Sequence, residues 1–184
     1  MTAGHDDNML VPENQMKHPL ENKWSFWLFI NEMKNWEDNL IELTTFATVE
    51  DYWCLYHHMK VPSELKQGQD YAVFKKGIRP MWEDKMNRHC GRWIIMLDRS
   101  VKLSVMDSVW SDVVLLLIGE NFKHSNEICG AVVNVRAKSK ICVWMRSNLT
   151  KAVMEIGRKL KTTLKNNFKI QYCLHNTSKV LYTA

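Results

Sequence analysis

Ile128-Cys129-Gly130-Ala131-Val132-Val133-Asn134-Val135-Arg136 is followed, after Ala137, Lys138 and Ser139, by Lys140-Ile141-Cys142-Val143-Trp144-Met145. Both runs are short, β-branched and aromatic, and a short polar link separates them, which reads as two consecutive strands. Strands that arrive in adjacent pairs favour antiparallel pairing over parallel βαβ units, whose crossovers need a dozen or more residues. Outward from this pair, further strand-like runs lie at 23–30, 40–45, 71–75, 92–97, 168–174 and 179–182, eight in all with 128–136 and 140–145. In 23–30, Trp24, Phe26, Leu28 and Ile30 alternate with Ser25, Trp27 and Phe29, so both faces of that strand are at least partly covered.

Three helices are interleaved with the strands. Thr48 with Asp51 resembles a capping box, Val49, Trp53 and Tyr56 follow at helical spacing, and the helix ends before Pro62. Ser104 caps a second helix that turns Val105, Val109, Val113, Leu116 and Leu117 inward and stops at a left-handed Gly119. Asn148 caps a third, with Leu149, Val153, Ile156, Leu160 and Leu164 on one stripe and lysines opposite. The order ββα, ββα, ββα, ββ, with no Gly-x-Gly-x-x-Gly after any strand, predicts an α+β fold: an antiparallel sheet with its helices on one face and the other face open to a ligand.

The chain has 184 residues, 46% of them hydrophobic, enough for one domain with a sizeable core. Residues 1–17 carry no hydrophobic period and read as an arm outside a single domain at 18–184. Five widely spaced cysteines without a Cys-x-x-Cys pair argue against a disulfide framework or zinc site and for a reducing compartment. The longest strictly apolar run, 113–118, is far short of a membrane span, and Asp6 and Asp7 do not suit an export signal. The formal charge of +5 conceals an asymmetry: residues 1–60 hold 4 basic and 10 acidic side chains, whereas 61–184 hold 21 and 10. That bias suggests an anionic partner, a nucleotide or nucleic acid first.

Enzyme motifs are missing: no Gly-x-Ser-x-Gly elbow, no His-Glu-x-x-His helix, no phosphate loop ending in Gly-Lys-Ser/Thr. His57 and His58 diverge on a helix and read as surface residues. Tryptophan is the unusual residue, at eight copies. Trp24, Trp27, Trp93 and Trp110 lie in apolar segments and read as core. Trp36 and Trp82 lie in polar, loop-like surroundings, where a large aromatic suggests a binding surface. Arg136, Lys138 and Lys140 recur with period two, so a strand extended through them would aim all three at a common anion. Loop tryptophans, a neighbouring carboxylate and a basic ladder suit a base with phosphates attached.

The ordered blocks His18-Pro19-Leu20, Thr48-Val49-Glu50-Asp51-Tyr52-Trp53, Gly77-Ile78-Arg79-Pro80-Met81-Trp82-Glu83-Asp84, Gly91-Arg92-Trp93, Leu117-Ile118-Gly119-Glu120 and Ile128 to Arg136 resemble the messenger RNA cap-binding translation initiation factor 4E family. The resemblance runs from His18 to about Tyr182. It implies a curved eight-stranded antiparallel sheet with three helices on the convex face and a ligand slot on the concave face. It also implies that Trp36 and Trp82 sandwich the cationic 7-methylguanine, gaining stacking and cation–π attraction of up to about 2 kcal/mol when desolvated. Glu83 would accept from guanine N1 and N2, the Trp82 backbone N–H would meet O6, and Trp144 would pack near the methyl group. Arg136, Lys138 and Lys140 match the family's phosphate cluster, and Arg92 a further basic residue facing the phosphates through water.

By the same resemblance His18, Pro19, Val49, Trp53, Asp112, Leu115 and Gly119 form a dorsal surface for a helix with Tyr-x(4)-Leu-hydrophobic spacing. The scaffold factor 4G and the 4E-binding proteins carry such a helix. The implied molecule is a monomer without cofactor or metal, placed in the cytoplasm and also in the nucleus, that recognises capped message without turnover. Ser111 stands where the family usually has a leucine, which keeps open a paralogue with weakened scaffold binding that represses or selects messages. Cys90 replaces the first glycine of Gly-Gly-Arg-Trp, the 138–140 segment is one residue shorter than usual, and the loop before Tyr182 is also shortened. A cap-processing enzyme is the reading from another class.

Overall fold

The computed structural model describes residues 16–88, 90–98, 100–164, 168–177 and 179–184, with the backbone but not the side chain of Trp36. The expected arm lies outside the described residues up to residue 15. The eight strands are β1 (Pro19–Phe29), β2 (Leu40–Thr48), β3 (Asp70–Lys75), β4 (Gly91–Met96), β5 (Ile128–Asn134), β6 (Lys140–Met145), β7 (Ile170–Leu174) and β8 (Val180–Thr183), and the helices are α1 (Val49–His58), α2 (Leu103–Ile118) and α3 (Thr150–Thr163). The strands form one curved sheet in the order β2-β1-β3-β5-β6-β4-β7-β8. Every pairing among the described residues is antiparallel. The pair β5 and β6 that set the fold sits at its centre, paired from Ile128 with Met145 to Asn134 with Lys140.

Period-two alternation divides the sheet into two faces. Trp24, Phe26, Val73, Trp93, Ile95, Val133, Val143 and Tyr172 point to one side, where Val113 and Leu117 of α2 and Val153, Ile156 and Leu160 of α3 close the main core. Trp27, Ala72, Phe74, Cys129 and Val132 point to the other, beneath Leu40, Met86 and Trp144. The expected core tryptophans are all buried: Trp24 and Trp93 at 0% exposure, Trp110 at 3% and Trp27 at 8%.

Several local expectations are corrected. β5 ends at Asn134 rather than Arg136, and β1 begins at Pro19 rather than Lys23 because Pro19 pairs with Thr48 across an irregular stretch. Thr48 does cap α1, accepting from the Asp51 N–H at 3.1 Å, but the Asp51 carboxylate takes Lys17 at 2.6 Å instead of closing a box. Ser104 and Asn148 are not caps: Lys102 and Leu149 precede α2 and α3 with no side-chain cap bond. Leu149 is 66% exposed rather than on the buried stripe of α3, and Val105 is only half-buried. Gly119 ends α2 at φ −81°, and the left-handed residue is Glu120 at φ 50°. Among the described residues no helix is long and apolar enough to cross a membrane.

Candidate functional site

Four neighbouring strands put Ala72 (β3), Val132 (β5), Cys142 and Trp144 (β6) and Arg92 (β4) on the face away from the helices, where they floor a cleft of about 490 Å³. Phe29 and Leu40 close one end and Pro80, Met81 and Trp82 one wall; Asp70, Arg136 and Lys140 bring charge, and His175 completes the rim. A mostly apolar floor with a few convergent polar groups is the usual form of a small-molecule site.

Two loops overhang the floor, and each is held by a buried asparagine. Asn39, 2% exposed, accepts through Oδ1 from the N–H groups of Glu32 (3.0 Å) and Met33 (2.6 Å). Its Nδ2 donates to the Met33 and Asn35 carbonyls at 2.9 and 3.2 Å, so one amide shapes the 31–39 loop that ends in a 3₁₀ turn at Trp36–Asn39. Asn87, 0% exposed, donates to the Arg79 and Met81 carbonyls at 2.9 and 2.8 Å. Asp84 accepts from the N–H groups of Arg79 (3.1 Å) and Met86 (2.9 Å), and Gly77 makes the entering turn at φ +90°. The two loops approach each other through Arg79 and Glu37, 3.8 Å apart. On the second loop Trp82 is held out at 55% exposure. A ring that exposed leaves apolar area uncovered, forgoing roughly 25 cal/mol for each Å². Glu83 beside it is exposed, with its carbonyl accepting from Arg88 at 3.3 Å.

The basic residues do not form the expected ladder, because β5 stops before them. Arg136 turns back to Asp70 in a forked pair, Nη1 to Oδ1 at 2.5 Å and Nη2 to Oδ2 at 3.0 Å, which fixes the guanidinium at the cleft wall. Lys140 lines the cleft from the start of β6, whereas Lys138 is exposed in the intervening turn, which Ser139 closes onto Arg136, and does not line it. Arg92 donates to His175 Nδ1 at 2.9 Å. Burial, and then the Arg92 charge, push the His175 imidazole down to about 3, so it is neutral. Trp144 meets His175 at 4.1 Å between ring centroids and Phe74 edge-on at 5.5 Å. The cleft thus unites Trp82, Trp144, Arg92, Arg136 and Lys140; the side chain of Trp36 lies outside the described residues, and Glu83 stands beside the rim. Asp70 and His175 escaped sequence reasoning: a lone Asp opening a strand and a lone His in a loop carry no pattern.

On the helix side, the backbone N–H and Nδ1 of His18 bond Glu50 at 2.8 and 2.6 Å, and the His18 carbonyl accepts from Val49 N–H at 2.9 Å. This ties the His18-Pro19 segment to the start of α1. Val49, Trp53 and Leu115 are each 37% exposed, while the neighbouring Tyr52 is buried at 4%. The apolar stripe of α1 therefore faces outward in part. Asp112 and Gly119 are exposed and Ser111 is half-buried, while burial pushes the Tyr52 hydroxyl well above its ordinary range. His57 and His58 are exposed, each with Nδ1 2.7 Å from the carbonyl one turn earlier.

Comparison with known proteins agrees with this architecture. The chain matches the family described as "Eukaryotic initiation factor 4E" over residues 19–182. It is 50% identical over 184 residues to Drosophila melanogaster eukaryotic translation initiation factor 4E1, covering 97% of this chain and 71% of that protein. It is 47% identical over 157 residues to Homo sapiens eukaryotic translation initiation factor 4E, covering 83% and 72%. Among solved structures, Ascaris suum eIF4E-3 with m7G cap superposes with a TM-score of 0.87 at 39% identity, covering 91% of this chain and 98% of that one. C. elegans eIF4E-3 with the 4E-binding protein Mextli gives 0.86 at 36%, covering 92% and 100%. Matched by the family over residues 19–182 and up to 50% identical to its members, the chain belongs to the eukaryotic initiation factor 4E family.

Proposed function

We propose that residues 18–184 form a single cap-binding domain that holds the 7-methylguanosine 5′ end of messenger RNA and passes it to the initiation machinery through a scaffold helix. The observation that carries this reading is the convergence of Trp82, Trp144, Arg92, Arg136 and Lys140, drawn from two strands and two loops, on one cleft. Methylation at N7 gives the guanine a delocalised positive charge, so indole faces hold it more strongly than unmethylated guanine. Trp82 supplies one face and Trp36, on the facing loop, the other. Glu83 accepts from the Watson–Crick donors, a pairing that selects guanine, and Trp144 packs against the methyl group. Arg136, already braced by Asp70, takes a phosphate with Lys140; Arg92 acts along the same chain, and Lys138 contributes longer-range field from the turn. Nothing in this set activates a nucleophile, so the act is recognition without turnover.

The second surface, His18, Pro19, Val49, Trp53, Asp112, Leu115 and Gly119, docks a Tyr-x(4)-Leu-hydrophobic helix from scaffold factor 4G or a 4E-binding protein, on the face opposite the cleft. Handling capped message, the protein acts in the cytoplasm and also in the nucleus. Titration of tryptophan fluorescence with 7-methylguanosine triphosphate and with GTP tests the reading: strong quenching confined to the methylated ligand is expected. Equal response to both ligands, or none to either, removes the assignment.

A further inference from the structure

Three side chains of the cleft make one contact unit. β4 lies between β6 and β7, with Arg92 in register with Trp144 on one side and Cys173 on the other. His175, just past β7, closes back over Arg92: its backbone N–H donates to the Cys90 carbonyl at 3.0 Å. Its ring lies 4.1 Å from that of Trp144 between centroids, tilted by 46°, and its Nδ1 receives Arg92 Nη1 at 2.9 Å. A guanidinium only donates, so Nδ1 is the unprotonated nitrogen and the ring proton sits on Nε2. Nε2 is itself buried and has no hydrogen-bond partner among the described residues. That tautomer is fixed by the protein, not by the solvent.

We infer that His175 is a positioning residue of the cleft, its neutral imidazole bracing the Trp144 ring at the base end and the Arg92 guanidinium at the phosphate end. This rests on the function proposed above. The two braces use different parts of the ring. Stacking on Trp144 needs an aromatic face, whereas holding Arg92 needs an acceptor where Nδ1 sits. Phenylalanine keeps the first and loses the second. Asparagine, whose Oδ1 occupies nearly the same place as Nδ1, does the reverse.

The test compares the parent chain with H175F and H175N, using 7-methylguanosine monophosphate, 7-methylguanosine triphosphate and GTP at low and moderate salt. H175F is expected to bind the monophosphate like the parent and to lose about fivefold on the triphosphate, with a flatter salt dependence, as one misdirected hydrogen-bond donor would give. H175N is expected to lose about fivefold on both methylated ligands as the Trp144 ring loosens, keeping the triphosphate-to-monophosphate ratio and lowering the methylated-to-unmethylated ratio. The inference is overturned if the two variants behave alike, whether both match the parent or both weaken every ligand by one factor. Imidazole nitrogen shifts of the parent protein at neutral pH need no variant: the Nε2–H tautomer supports the inference, and an Nδ1–H tautomer or an imidazolium overturns it. If the parent fails to separate 7-methylguanosine triphosphate from GTP, the cap-binding reading fails, and the tautomer measurement still decides the geometry at His175.

Discussion

Gly157, midway along α3, gives the sharpest stability prediction. A Cβ at this position would lie 2.2 Å from Trp93 Cζ2, 2.6 Å from Cη2 and 2.7 Å from Cε2. Carbon atoms rest about 3.5–4.0 Å apart, so Gly157→Ala demands that the indole retreat by about 1.5 Å. It has little room to do so. Trp93 is 0% exposed, Tyr172 lies 5.5 Å away between centroids, and the indole N–H donates at 3.0 Å to the carbonyl of Val153, on the same helix the ring would have to leave. Overpacking of this kind costs about 3 kcal/mol at its upper end. Loss of the indole hydrogen bond adds about 1 kcal/mol, and the better helix propensity of alanine returns about 1 kcal/mol. The net expectation is a loss of about 3 kcal/mol, read as a lower urea midpoint at unchanged slope, or as a melting temperature lower by about 6–12 °C for a domain of this size. Because Trp93 follows Arg92 in β4, the variant should also weaken ligands that engage Arg92. In a double-mutant cycle, Trp93→Leu should cost much less in the alanine background than in the parent. A Gly157→Ala protein as stable as the parent would show that helix propensity alone governs this position and that the contact with Trp93 is soft.

Acid should destabilise the protein through His175. Its folded value of about 3 lies below the ordinary 6.5, so the unfolded chain binds the extra proton first; stability is full above pH 6.5, falls as pH drops from there toward 3, and loses about 2 kcal/mol between pH 7 and pH 5. Thermal melts across that window should show the slope, and His175→Phe should flatten it; Glu42, Glu50, Asp51 and Glu155, all held below their ordinary values, contribute only at lower pH. Arg136→Ala should weaken 7-methylguanosine triphosphate by about tenfold or more and reduce the salt slope by about one, while Lys138→Ala changes affinity by about twofold at most, as measured by fluorescence titration at several salt concentrations. Ser111→Leu should tighten a Tyr-x(4)-Leu-hydrophobic peptide by about tenfold in calorimetry through added apolar contact.

The strands were legible because burial on a sheet repeats every second residue, and runs such as Trp24, Phe26 and Leu28 display that period openly. Helix termini were less so. Lys102 and Leu149 open α2 and α3 without capping side chains, so the polar Ser104 and Asn148 misled, and Asn148 in fact accepts from the Tyr172 hydroxyl at 2.7 Å. The end of β5 is hidden for a different reason. Nothing in Val135-Arg136-Ala137 breaks a strand, and the chain leaves the sheet where Arg136 bends to Asp70, a partner 66 residues away. Local sequence carries no trace of such a pair. Order across the sheet and the approach of His175 to Arg92, 83 residues apart, are hidden in the same way. Trp82 was visible as a large aromatic in polar surroundings, which is the signal of a side chain kept out of the core.

The side chains of the cleft stand on parts of the fold with different mechanics. Its basic groups stand on or beside the sheet: Arg92 within β4, Lys140 at the head of β6, Arg136 two residues past β5 and clamped by Asp70. Ladder hydrogen bonds fix Arg92 and Lys140, and the Asp70 pair fixes Arg136. Trp82 instead rides on a loop, which a sheet cannot position directly. Here Asn39 and Asn87 take the place of the ladder, each making its bonds to loop backbone while buried in the chain. A buried amide at the root of each loop holds the loop backbone in place. Because β4 presents Arg92 to the cleft and Trp93 to the helices in consecutive residues, the cleft and the core share one strand, and a disturbance of either is felt by the other.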